Sequence, residues 1–161
     1  MSRARTDALP ARTWLAWGGW ALWTAVALVL GGDRFDAGST SRLLVGFVEW
    51  WFPEAGAAEI ARYAGIVRKL AHPGVYGVHA ALGFWALFAS RVPSAGRAAL
   101  WATGAALGVA ILDETRQATL ATRTGAAGDV VLDTLGAAAV SFALWRWQRG
   151  HGYAQERTSH G

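Results

Sequence analysis

The sequence predicts an all-α integral membrane protein, a bundle of about four transmembrane helices, and two observations support this prediction. Hydrophobic residues make up 53% of the 161 residues and charged residues 16%, against about 25% charged residues in ordinary soluble domains. Charged side chains are also absent, with histidine counted as neutral, from the stretches 13–32, 70–90 and 98–112. A helix needs about 20 mainly apolar residues to span a bilayer, and long charged side chains at its ends can extend into the interface.

Four membrane spans are predicted, at about 13–31, 70–90, 95–112 and 130–147. The fourth is the least apolar, because it has Asp133 near its start and Arg146 near its end. The membrane domain then covers 13–147, between a basic tail at 1–12 and a polar tail at 148–161. The apolar stretch after the basic tail is longer than the 7–15 residues of a signal peptide's apolar region. We therefore expect an uncleaved first span.

The long connection at 32–69 contains the sequence SRLLVGFVEWWF, whose apolar spacing predicts an amphipathic helix. Ser41 is a candidate N-cap for this helix, and Pro53 is expected to end it. The pattern does not decide whether the helix lies in the membrane interface or packs on the bundle. Residues 57–69 are expected to lead helically into the second span, with Pro73 in its first turn or at a kink.

Composition excludes several classes of function. The chain has no cysteine, so disulfides and thiol chemistry are excluded. The net charge is +4, but the basic residues are scattered and form no stripe, whereas nucleic-acid binding requires clustered Lys and Arg. The sequence contains no P-loop, no GxSxG motif and no Rossmann fingerprint. No cofactor and no nucleic-acid partner are expected, and the oligomeric state is left open.

Four spans fix which connections share a side of the membrane. The N-terminus, the 91–97 link and the C-terminal tail share one side, and the connections 32–69 and 113–128 share the other. The short segments 1–12 and 91–97 are basic, with Asp7 as their one acidic residue. The positive-inside tendency therefore predicts that both termini are cytoplasmic in a multi-pass cell-membrane protein.

A group of polar residues falls on the other side, at the ends of the spans. Its members are Lys69, His72, Tyr76, Asp113, Glu114, Gln117, Arg123, Asp129 and Asp133. Spacings of three and four residues place them on shared helix faces, and the simplest arrangement has Lys69 and Arg123 balancing the acids. Charged residues at span ends are also explained by solvation alone. Since His72 and Asp133 lie inside apolar stretches, a function or a specific buried pairing is favoured for them. His79 is predicted to be a packed or hydrogen-bonded core histidine.

The strings KLAHPGVYGVHAALG and DETRQATLATRTGAAGDVVLDTLG resemble the VanZ-like membrane proteins. The family pattern has a Lys/His/Tyr cluster opening one span, then Asp-Glu-x-x-Gln, an Arg six residues later, and Asp-x-x-x-Asn-x-x-Gly opening the last span. It falls on Lys69, His72, Tyr76, Asp113, Glu114, Gln117, Arg123, Asp129 and Gly136. Asp133 stands where the family usually has Asn. The resemblance implies a polytopic bacterial membrane protein linked to resistance against the glycopeptide antibiotic teicoplanin.

Three functions fit these residues. The first is binding of, or action on, an anionic lipid or a lipid-linked cell-envelope intermediate, with Lys69, Arg123 and Arg116 as cations for a phosphate. The candidate catalytic residues are His72, Asp113, Glu114 and Asp129, with His72 as the acid–base group. The candidate substrate-binding residues are Lys69, Tyr76, Gln117, Arg123 and Asp133. The second function is a non-catalytic scaffold whose polar residues form an ion-pair network. The third is a hydrolase with a divalent metal on Asp113, Glu114, His72 and Asp129, but no familiar metal-spacing motif supports it, so no metal ligand is assigned.

Overall fold

The computed structural model describes residues 11–30, 37–90, 92, 94–119 and 127–159, without the side chains of 37–41 and 151–159. Its helices are α1 (Ala11–Leu30), α2 (Ala37–Trp51), α3 (Ala57–Ala89), α4 (Ala95–Ala118) and α5 (Ala127–Ser159). These helices confirm the predicted all-α fold.

Among the described residues, three helices are long and apolar enough to cross a membrane: α1, α4 and the Ala127–Gly150 part of α5. They coincide with the first, third and fourth predicted spans. The second predicted span lies in α3, whose polar residues include His72, Tyr76 and His79. Helix α3 contacts each of the other four helices. Tyr76 and His79 are buried and the His72 side chain is 25% exposed, so these three side chains pack largely against protein.

Helix α2 confirms the predicted helix between the first two spans. It ends at Trp51, before Pro53. Ser41 lies inside the helix and not at its N-cap, because the helix already begins at Ala37. Val48 packs against Ile60 and Ala64 of α3, so this helix lies on the bundle. Its position in a membrane interface stays a prediction.

Helix α3 is continuous, which corrects the expectation that Pro73 lies in a first turn. The helix begins after Gly56, whose N–H donates to the Glu59 carboxylate at 3.1 Å. Residues 57–69 are part of the same helix, as predicted, so Pro73 falls deep in its interior. A proline there removes one backbone hydrogen bond and costs roughly 3 kcal/mol. At this point α3 packs closely against Gly136 of α5.

The contact between α3 and α5 depends on two glycines. A Cβ atom built on Gly136 would lie 2.7 Å from the Cα atom of Pro73, and one on Gly77 would lie 3.0 Å from a Val140 methyl. Next to this contact, Tyr76 packs in a buried core of small residues: Ala80, Ala106, Ala110 and Ala137. Small residues allow close helix packing in membranes, where burial of apolar surface gives no advantage over lipid contact.

Helix α1 is attached to α3 by a row of side-chain hydrogen bonds. Trp17 Nε1 donates to Ser90 Oγ at 2.8 Å, and Trp23 Nε1 donates to the Val75 carbonyl at 3.0 Å. Between them, Trp20 Nε1 donates to His79 Nε2 at 3.1 Å. His79 is 1% exposed, which confirms the prediction of a hydrogen-bonded core histidine. Because its Nε2 accepts a hydrogen bond from Trp20, His79 is assigned as the neutral tautomer with hydrogen on Nδ1.

Candidate functional site

Polar side chains from α3, α4 and α5 meet at one end of the bundle. We call this group the polar cluster; it consists of His72, Tyr76, Asp113, Glu114, Gln117 and Asp133. The three acids are almost fully buried, with exposed fractions of 4% for Asp113, 7% for Glu114 and 1% for Asp133. Carboxylates are rarely buried unless they are paired or ligate a cation. Each buried acid therefore needs a partner.

The glycine contact between α3 and α5 positions one pair in the polar cluster. Asp133 lies one helical turn before Gly136, and His72 immediately precedes Pro73. The approach of Gly136 to Pro73 thus brings the two side chains together, with His72 Nδ1 3.5 Å from Asp133 Oδ1. This separation forms an ion pair when His72 is protonated, but it is longer than the 2.7–3.2 Å of a good N–H···O hydrogen bond. The His72 side chain is 25% exposed, so the polar cluster opens to its surroundings there.

Asp113 is fully paired within the structure. Its Oδ1 accepts a hydrogen bond from Arg116 Nη2 at 2.7 Å, and its Oδ2 accepts one from Gln117 Nε2 at 2.8 Å. The same Arg116 nitrogen also donates to the Leu28 carbonyl at 2.5 Å. Charge-assisted bonds of this kind are stronger than neutral ones. They join the end of α1 to α4 and satisfy both oxygens of Asp113.

Three donor atoms converge elsewhere in the polar cluster. One ring nitrogen of His72 and one carboxylate oxygen each of Glu114 and Asp133 lie within 4.8 Å of one another. Asp129, half-buried at the start of α5, interacts electrostatically with His72 and Asp133. Tyr76 is buried and interacts electrostatically with all three acids of the polar cluster. This half of the cluster is predominantly acidic, and it contains the donor types that bind divalent cations.

The structure brings six of the predicted site residues together in the polar cluster, with Asp129 beside them. Lys69 is exposed on α3, and the cation on Asp113 is Arg116 rather than Lys69, which corrects the expected pairing. Arg123 lies outside the described residues. Sequence reasoning gave Arg116 only a minor role, although its position three residues after Asp113 was a signal for this pair. Nothing in the sequence indicated the hydrogen bond from Arg116 to the Leu28 carbonyl.

A comparison of the sequence with family models identifies the family. The model described as VanZ/LLP1 matches residues 21–148, which include every residue of the polar cluster, all of α2, α3 and α4, and parts of α1 and α5. No curated protein and no solved structure matches the sequence significantly. Since the matched region covers most of the chain, this membrane protein belongs to the VanZ/LLP1 family.

Proposed function

We propose that the polar cluster binds the phosphate-bearing headgroup of an anionic lipid or of a lipid-linked cell-envelope intermediate. The proposal rests on one observation: the acids of the cluster are buried, and the cluster is accessible from outside at His72. The acids of the cluster lie inside the bundle, whereas His72 is partly exposed at its edge. A site at the end of membrane helices can receive a polar headgroup while the lipid tail stays beside the bundle. The family's association with teicoplanin resistance agrees with an envelope ligand.

An apolar groove between α2 and α3 supports a ligand with a tail. The groove has a volume of about 360 Å³, within the range of small-molecule sites. It is lined by Phe47, Val48, Trp51, Phe52, Tyr63, Ile66 and Val67. Val67 precedes His72 by five residues, about 7.5 Å along the axis of α3. Five residues also correspond to about 140° around the helix axis, so a ligand whose tail lies in this groove must pass around α3 to reach His72.

Arg116 offers a donor for the headgroup. Its Nε atom is buried and has no hydrogen-bond partner among the described residues, while Nη2 holds Asp113 and Leu28. A guanidinium group has five N–H donors in a rigid fork that matches a phosphate. Arg116 can therefore bind Asp113 and still donate to a phosphate oxygen.

A non-catalytic scaffold is the second candidate function. It is favoured by the bonds that Arg116 forms to Asp113 on its own helix and to Leu28 on α1. In this interpretation the polar cluster locks the helices together, and the protein affects the envelope by binding a partner protein. The two functions differ in whether a lipid phosphate competes for the cluster.

Lipid binding separates these functions through two histidine variants. We expect the purified protein in phosphatidylcholine nanodiscs to bind a polyprenyl phosphate, measured by native mass spectrometry. His72→Gln is expected to weaken this binding roughly tenfold, because one charge-assisted hydrogen bond is lost. His79→Gln is the matched control on the same helix; it keeps an acceptor for Trp20 and is expected to retain the affinity. Equal affinity of the wild type for the polyprenyl phosphate and the neutral alcohol would favour the scaffold.

The proposed orientation is tested by labelling introduced cysteines. We propose that both termini are cytoplasmic. Ser94 at the N-cap of α4 and Glu54 between α2 and α3 are both exposed. In a chain without cysteine, we expect a membrane-impermeant maleimide to label Ser94→Cys from the cytoplasmic side and Glu54→Cys from the opposite side. Labelling of both from one side would contradict the four-span topology.

A further inference from the structure

Asp133 is a buried carboxylate with an unsatisfied oxygen. The residue is 1% exposed, and its Oδ1 atom has no hydrogen-bond partner among the described residues. His72 Nδ1 is 3.5 Å away, too far for a good hydrogen bond. Burying a carboxylate oxygen that lacks a hydrogen bond is costly in a membrane protein. Such an oxygen is retained when a ligand supplies the missing contact.

The charges around Asp133 indicate which ligand is required. Asp113 and Asp129 both act on it electrostatically as like charges. Arg116 is engaged by Asp113, and His72 contributes at most one positive charge. A neutral donor would satisfy the free oxygen but leave the repulsion between the acids. A cation satisfies both requirements.

We propose that His72, Glu114 and Asp133 form a binding site for a first-row divalent cation, with Zn²⁺ as the ion that fits best. Their donor atoms already lie within 4.8 Å of one another. Two ligands of a tetrahedral Zn²⁺ with bonds of about 2.1 Å are about 3.4 Å apart. The 3.5 Å between His72 Nδ1 and Asp133 Oδ1 matches this separation. A distance that is too long for a good hydrogen bond is thus suitable for two atoms that bind the same metal ion.

The three residues come from three different helices, so the ion also joins α3, α4 and α5. One imidazole and two carboxylates form a mixed nitrogen and oxygen set, which suits Zn²⁺ or Mn²⁺ better than Mg²⁺. Three protein ligands leave a coordination position open, as in catalytic zinc sites. If the proposed function is correct, this position takes a phosphate oxygen of the headgroup. The metal site itself rests on the side-chain geometry and does not require the lipid.

Metal binding is measured directly, in detergent and without added lipid. Protein stripped with a chelator and dialysed is titrated calorimetrically with Zn²⁺, and the bound metal is counted by mass spectrometry. We expect about one Zn²⁺ per chain and a rise in melting temperature on binding. Asp133→Asn and, separately, Glu114→Gln are each expected to lower the affinity by roughly 100-fold. Two ligand variants are used so that misfolding of one does not prevent the test.

The matched control is Asp129→Asn, one turn earlier on α5. It removes the same charge near the site without removing a donor of the converging set, so its effect on Zn²⁺ affinity is expected to be at most a few-fold. An equal loss in Asp129→Asn and Asp133→Asn would show diffuse attraction and overturn the site. So would wild-type protein that binds no Zn²⁺, or folded ligand variants that bind Zn²⁺ as wild type does. Because lipid is absent, such results leave the lipid-binding test of His72→Gln unaffected.

Discussion

Replacing Gly136 by alanine is expected to lower the free energy of unfolding by about 3 kcal/mol, at the upper end of the usual cost of overpacking. The added methyl group would contact the carbonyl oxygen, Cα and Cβ of Pro73. Backbone atoms cannot move aside as a flexible side chain can, so α3 and α5 must separate. Unfolding of the detergent-solubilised protein by SDS, followed by tryptophan fluorescence, measures the loss.

Gly108→Ala is the matched control for this prediction. Gly108 lies inside α4, and a Cβ atom there meets nothing within 4 Å in the described part of the chain. Alanine is favoured over glycine in a helix interior by about 1 kcal/mol, so this variant is expected to be neutral or more stable. Similar stability changes in the two variants would contradict the close contact between Gly136 and Pro73. The same separation of helices would also move Asp133 away from His72.

Removal of Arg116 is expected to have the second large effect. Arg116→Ala leaves buried Asp113 without its 2.7 Å partner and the Leu28 carbonyl without its donor. Breaking a fully buried ion pair costs about 3–5 kcal/mol. Since the Arg116 side chain is 39% exposed and water screens the pair in part, we expect about 2 kcal/mol. Melting temperature in detergent gives a direct comparison with the wild type.

Two further variants identify the cause of this loss. Arg97→Ala removes an exposed arginine at the other end of α4 and is expected to leave the melting temperature nearly unchanged. Arg116→Ala combined with Asp113→Asn removes the unpaired charge, so we expect it to recover part of the stability lost in Arg116→Ala. A double variant less stable than Arg116→Ala alone would show that the charge on Asp113 is not the cause.

The sequence predicted the fold because a helix needs a long apolar stretch to span a bilayer. Stretches without charge marked α1 and α4, and a mainly apolar stretch marked α5 despite Asp133 and Arg146. All three satisfy the length and composition of a span. The helix is longer than the predicted span: α4 continues to Ala118, beyond residue 112, and Asp113 and Gln117 in this extension are paired inside the bundle. The length of an apolar stretch does not show whether the helix continues into polar residues that are paired inside the bundle.

The sequence predicted the residues of the polar cluster but not how they pair with one another. Helix spacing placed His72, Glu114 and Asp133 at one end of the bundle, where the structure has them. It did not show which acid pairs with which base, because that depends on the rotation of each helix about its own axis. The tight approach of Gly136 to Pro73 sets this rotation for α3 and α5. Arg123, the other predicted cation, lies outside the described residues.

The central position of α3 has a consequence for biogenesis. During synthesis α3 is made after α1 but before α4 and α5. Trp20 of α1 is already present to cover His79, whereas Tyr76 is packed by alanines of α4 and α5, and His72 faces Asp133 of α5. The polar face of α3 is therefore covered only when later helices associate with it. We therefore expect stable integration of the second predicted span to require the last part of the membrane domain to be translated.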